Sequence, residues 1–274
     1  MQSRRDALRA LSGFLLSSPL LRSDEYNLDP ATATLKDLFN VWDFRDLAKK
    51  KLDPVAWYYM VEGAKHELAL RDSRLAFNRL IIRPRFLTDV HKIDISTKLM
   101  GMDLASPIYI CPAGGKPCFR QNGEELTARG AAASNSFMIT NGGIDSFLAS
   151  GKGPKNWFQL TTGAHLRNQN TMEDFVDKLE DQGCSGICFT VDIMHVSHRE
   201  RSIHNRFVRS WCETGIPRDA AGKLIYQGGQ VAWTTDVFPG RPEPTPTWDS
   251  VRKLRELTDL PIILKGIMTA EDTE

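Results

Sequence analysis

The chain has 274 residues, 41% hydrophobic and 25% charged, with a formal net charge of +1 at pH 7. This is the composition of a globular protein of one large or two small domains, and the near-neutral balance provides no global field to attract nucleic acid or an anionic membrane. Five scattered cysteines, an odd number, argue against a disulfide framework, and no apolar run approaches the ~20 residues that span a bilayer.

Residues 1–25 stand apart. Ser3-Arg4-Arg5-Asp6-Ala7-Leu8-Arg9 precedes a mildly apolar stretch from Ala10 to Leu21. The paired arginines resemble a twin-arginine signal, which implies export to the periplasm, although Ala7 stands where such signals carry an aromatic residue. The competing reading is an amphipathic or disordered leader on a cytoplasmic protein, with Leu8, Leu11, Leu15 and Leu16 on one helical face.

Residues 26–105 form a lead-in. A helical pattern from Trp42 carries Phe44, Leu47 and Ala48 and breaks at Asp53-Pro54. Pro54 suits the first turn of a second helix with Val55, Trp57, Tyr58, Tyr59 and Met60, and Gly63 is a natural stop. Residues 81–105 look extended, with a turn at Gly101.

From residue 106 to 274 short apolar runs alternate with helical patterns. Strands are predicted at Pro107–Pro112, Phe137–Thr140, Trp157–Leu160, Gly186–Asp192 and Pro261–Gly266. Helices are predicted at Gly123–Asn135, Thr171–Gln182 and Trp248–Asp259. The second is the clearest, because Met172, Phe175, Val176 and Leu179 follow i, i+3, i+4, i+7 spacing. Thr171 is its predicted N-cap and Gly183 its stop. Ile193–Thr247, with Gly228-Gly229 and four prolines, reads as one long loop.

This alternation predicts a parallel sheet covered by helices, either a doubly wound sheet or a barrel. No strand is followed by G-x-G-x-x-G, and no P-loop is present. Gln159, Thr190, Asp192 and Lys265 instead fall at the C-terminal ends of strands, where (β/α)8 barrels keep their chemistry. The predicted fold is therefore an α/β TIM barrel, with five of about eight strands in these residues.

Lys265, ending an Ile-Ile-Leu strand, reads as an anion or cofactor partner, against a snorkelling surface lysine. Thr190 and Asp192 share a face if their strand is regular, although one could cap a helix instead. Arg199 suits bidentate binding of a carboxylate, against an ordinary solvated charge run. Tyr59 sits in an aromatic group that more often packs. His195, His198 and His204 match no usual metal-ligand spacing, and neither does Cys184-x-x-x-Cys188. Cys188 reads as a small buried hydrophobe.

Several segments together resemble the FMN-dependent 2-hydroxy-acid oxidase and dehydrogenase family, which includes glycolate and lactate oxidases and the flavin lactate and mandelate dehydrogenases. They are Ala76–Arg85, Phe158-Gln159-Leu160, Thr190-Val191-Asp192, Arg199-Glu200 with Asn205-Arg206-Phe207, and Leu264–Asp272. The resemblance implies an FMN site at a barrel mouth. Pro112, Ala113 and Gly114 would approach the flavin by backbone, and Asn141, Gln159 and Thr190 would bond its polar edge. Lys265 would sit by N1. Tyr59 and Arg199 would bind the substrate carboxylate, with Thr161 where the family commonly carries a substrate-binding Tyr. Asp192 would orient a catalytic histidine.

Two further departures are Asn141, in place of the family's usual Ser, and Gly142-Gly143, where an aromatic often follows. The family's Ser-Asn-His-Gly-Gly-Arg stretch, which supplies the base, and its later Gly-rich phosphate-binding segment do not occur in these 274 residues. The expected reaction is oxidation of a small L-2-hydroxy acid to the 2-oxo acid by hydride transfer to flavin N5. The electron acceptor is open, and the full-length protein is expected to be a homo-oligomer. The alternative is a short, inactive binding or assembly protein built on a partial barrel.

Overall fold

The computed structural model describes residues 29, 31–141, 156–161, 169–193, 197–208, 210–225 and 246–274. The leader, Gly142-Gly143, His165 and His195 lie outside them. The chain divides into two compact units, Met1–Trp57 and Tyr58–Glu274.

In the first unit, helix α1 (Val41–Lys51) begins with a reciprocal cap. The Asn40 side chain accepts from the Trp42 and Asp43 N–H groups, and the Asp43 carboxylate accepts the Asn40 N–H. The Arg45 guanidinium lies 5.4 Å from the centre of the Trp57 ring. Helix α2 (Pro54–Val61) starts at the predicted proline and runs across the boundary between the units.

The second unit continues with α3 (Leu68–Leu75) and a hairpin of β1 (Thr97–Leu99) and β2 (Met102–Leu104). Met100 and Gly101, at φ +48° and +78°, form the hairpin loop. Two successive positive φ values make the turn that matches strand twist. Helix α4 (Gly123–Ala133) then leads to β3 (Met138–Thr140) and β4 (Asn156–Leu160). Helix α5 (Gln169–Asp181) leads to β5 (Gly186–Thr190). After α6 (Glu200–His204) and α7 (Trp211–Thr214), α8 (Trp248–Leu257) leads to β6 (Ile262–Lys265).

Strands β3-β4-β5-β6 are parallel and adjacent in that order, an incomplete (β/α) barrel wall. The predicted first strand is reduced to one bridge, Ile110 to Met138. Pro107 and Pro112 at its ends have no N–H to donate, which keeps the ladder short. Two further expectations are corrected. Helix α5 starts at Gln169, so Thr171 lies in its first turn and is not its N-cap. The predicted 193–247 loop carries α6 and α7 within its described part.

Side chains alternate strictly across the sheet. Phe158, Leu160, Ile187 and Phe189 pack outward with Met172, Val176 and Leu179 of α5 and Leu254 of α8. Ile139, Trp157 and Cys188 face the other way, joined by Phe137, Met102 and Leu104, with Ile263 packed against them. Trp157 and Phe137 meet edge to face at 5.4 Å and are essentially inaccessible. Burying such a side chain contributes roughly 1.5–3 kcal/mol. Two residues beyond these inner-face positions come Asn141, Gln159, Thr190 and Lys265. The period-2 pattern thus makes one face apolar at its base and polar at its C-terminal edge.

Candidate active site at the C-terminal edge of the sheet

A chain of polar side chains runs along that edge. Asn141 Nδ2 donates to Gln159 Oε1, and Gln159 Nε2 donates to Thr190 Oγ1 at 2.7 Å. Gln159 and Thr190 are both buried. Such a network is tolerated in a core only because its members satisfy one another. Lys265 stands opposite Thr190 in the ladder and reaches Asp192 Oδ1 at 3.4 Å. Asp192 lies beyond the end of β5, so it does not continue the buried row. Its approach depends on Gly266, at φ +117°, where a Cβ would come within 2.3 Å of the Asp192 Cβ.

Sequence reasoning missed two members of this edge. Glu124, buried in the first turn of α4, accepts the Asn141 backbone N–H at 2.8 Å. Its other oxygen accepts from Lys116 Nζ, which also donates to the Ala113 carbonyl at 2.9 Å. In sequence Glu124 is one more acid at a helix start, a position acids favour anyway. Nothing local distinguishes it from a surface cap.

Pro112 is half-buried, and Ala113 and Gly114 are exposed, so their backbone is approachable. This segment joins the two halves of the site. A Cβ on Gly114 would lie 2.5 Å from Asn141 Oδ1; one on the next residue, Gly115, would lie 3.1 Å from Cys212 Sγ and 3.4 Å from Tyr59 Cε1. Tyr59 stacks on Phe207 with ring centres 4.2 Å apart and planes 6° apart. The Arg199 guanidinium lies 5.2 Å from the Tyr59 ring centre, and its Nε donates to Ser197 Oγ at 3.2 Å. Burial, and next a hydrogen bond with Cys212, push the Tyr59 phenol well above its usual range, against the opposing pull of Arg199. A protonated phenol beside a guanidinium is a donor pair suited to a carboxylate.

The structure therefore brings together Asn141, Gln159 and Thr190, pairs Lys265 with Asp192, and pairs Tyr59 with Arg199. Thr161 lies one residue past β4, half-buried, and shares no hydrogen bond with these groups among the described residues. Cys188 is buried in the inner-face core, and burial pushes its thiol up to about 11 while the Lys265 charge pulls it down.

The chain is 32% identical over 252 residues to glycolate oxidase 1 of Zea mays, covering 86% of this chain and 64% of that one. Against a peroxisomal (S)-2-hydroxy-acid oxidase of Oryza sativa subsp. japonica the identity is 34% over 245 residues, with 85% and 63% covered. A crystal structure of mandelate oxidase superposes with a TM-score of 0.68 at 27% identity, covering 86% of this chain and 64% of that one. A mandelate oxidase variant with a C4a-OH-FMN adduct gives 0.65 at 27% identity, covering 84% and 63%. The chain thus spans slightly less than two thirds of the length of these relatives. The FMN-dependent dehydrogenase family matches residues 48–274, and the chain belongs to that family.

Proposed function

We propose that these residues form the ring-edge and carboxylate half of a site where a small L-2-hydroxy acid, lactate- or glycolate-like, is oxidised to the 2-oxo acid. FMN is the cofactor of the family. The residues present fit its polar ring edge: a carboxamide chain from Asn141 through Gln159 to Thr190 offers alternating donors and acceptors, and Lys265 adds a cation. Gly114 keeps the approach beside Asn141 clear of side chain. When bound, FMN supplies the two-electron acceptor, at its N5, for the hydrogen on the substrate α-carbon.

The remaining roles belong to the chain. Arg199 holds the substrate carboxylate through its guanidinium, and the protonated Tyr59 phenol donates to the same group. Thr161 lines the substrate side. Lys265 would place its positive charge at the ring edge. Asp192, held by Lys265, orients the histidine that takes the hydroxyl proton. No Ser-Asn-His-Gly-Gly-Arg stretch lies in residues 1–274, so we expect these residues alone to bind FMN weakly at most and not to turn over.

The carrying observation is the alignment of Asn141, Gln159, Thr190 and Lys265 on one edge of one sheet. In the product of the whole gene, Arg199→Ala raises KM for the hydroxy acid about 10–100-fold, the loss of one charge-assisted hydrogen bond. FMN content stays unchanged. Lys265→Met weakens FMN binding, read by recovery of free-flavin fluorescence. Unchanged KM and unchanged FMN affinity would together contradict the assignment.

A second reading, an inactive assembly protein, draws on exposed Phe77, Ile81, Ile82, Phe86 and Leu87, which form an apolar run open to solvent. A well-folded monomer or defined oligomer of residues 1–274 in size-exclusion chromatography favours it; aggregation favours the enzyme.

A further inference from the structure

Two thiols meet beneath Tyr59. The single turn Lys116–Cys118 lies against α7, which carries Cys212. The Cys118 and Cys212 side chains lie within reach of one another, and Cys212 within reach of the Tyr59 phenol. A Cβ on Gly115 would lie 3.1 Å from Cys212 Sγ and 3.4 Å from Tyr59 Cε1, so the thiol and the ring bound the same small space. Neither cysteine is in a disulfide; Cys118 is buried and Cys212 only half-buried. The other cysteines are placed differently. Cys184 donates to the Gly186 carbonyl at 3.2 Å, Cys188 is packed in the inner-face core, and Cys111 is exposed.

We propose that Cys118 and Cys212 are a modification site, a dithiol that hydrogen peroxide closes to a disulfide in the wall of the Tyr59–Arg199 site. The half-buried Cys212 reacts first. Its sulfur attacks one peroxide oxygen, the O–O bond breaks, and the products are a Cys212 sulfenic acid and one water. Cys118 sulfur then attacks the Cys212 sulfur, displacing hydroxide, which leaves as a second water with the Cys118 proton. Two thiols are oxidised by two electrons and one peroxide is reduced. Closure removes the Cys212 S–H next to the Tyr59 phenol, so it acts on the carboxylate side of the site and leaves the Asn141–Gln159–Thr190 chain untouched. The proposal does not require turnover by these residues.

The test uses the product of the whole gene, reduced, freed of reductant and treated with stoichiometric hydrogen peroxide in native buffer. Remaining thiols are then alkylated and the chain is mapped by non-reducing peptide mass spectrometry. The expected product is one cross-linked pair of peptides joining Cys118 and Cys212, lighter by two hydrogens than their sum and released by dithiothreitol. It is absent from Cys212→Ser, in which Cys118 stays alkylatable. The proposal is overturned if both thiols stay free, or if Cys212 goes to the sulfinic acid beside a free Cys118. It is equally overturned if the cross-links match the mixture formed by the urea-unfolded chain. The wild-type map decides even where Cys212→Ser does not fold.

Discussion

Gly186 opens β5 without a side chain because the Trp157 indole lies where one would go, 2.2 Å from an added Cβ. The ring is wedged against Phe137 and cannot swing aside. Gly186→Ala is therefore expected to lower the unfolding free energy by roughly 1–3 kcal/mol, the usual cost of overpacking; an unchanged urea midpoint would contradict that. Burial disfavours the thiolate of Cys188, two residues on, and pushes its thiol up to about 11 from the ordinary 9.0. Its folded form keeps the proton where the unfolded chain has lost it. Its contribution to stability is thus complete below pH 9.0 and is lost as pH rises through about 11. Over that window Cys188→Ala should show a shallower alkaline loss of stability than wild type. At this scale the sequence was legible where a residue type matched its burial, as at Cys188. It was silent where a role depends on a distant partner: Glu124 matters through Asn141 and Lys116, and neither spacing nor composition records that.

The elements show why some of the fold could be read directly. Strands β4 and β5 are mostly apolar because both of their faces are covered, while β6 at the sheet edge is half-buried, and the 3.6-residue pattern of α5 puts Met172, Val176 and Leu179 on one stripe against the sheet. Leu179, fully buried, should cost about 2–5 kcal/mol as Leu179→Ala, measured by chemical denaturation; a cost under 1 kcal/mol would mean that the helix is not seated on the sheet. Helix α4 is held at the site edge by the Lys116–Glu124 pair, whose side chains are only 14% and 9% exposed. Glu124→Ala strands the lysine and should destabilise by ~3–5 kcal/mol. A weaker effect, near that of a surface pair, would show the pair to be solvated. What escaped sequence reading was short or proline-limited: the bridge at Ile110, and α6 and α7 within a polar stretch, each too brief to show a period.

For the molecule as a whole, the informative feature is how the Tyr58–Glu274 unit divides its labour. The outer face of the sheet and its helices supply the core, the hairpin β1–β2 closes the base of the inner face, and the C-terminal edge is left polar. Gly114 and Gly115, adjacent in sequence, touch Asn141 on one side and Tyr59 with Cys212 on the other. The Asn141–Gln159–Thr190 chain and the Tyr59–Arg199 pair are thereby fixed to one another through two residues of backbone. That architecture was readable from strand-end polar residues together with the family resemblance. The Tyr59–Arg199 pairing was not readable from spacing, because 140 residues separate its members. The most direct measurement of the central claim is the anaerobic half-reaction of the FMN-loaded product of the whole gene with glycolate, L-lactate and L-mandelate. The account predicts bleaching of the flavin absorption by at least one of them, with Arg199→Ala shifting the concentration dependence. A flavin that stays oxidised with all three acids would contradict it.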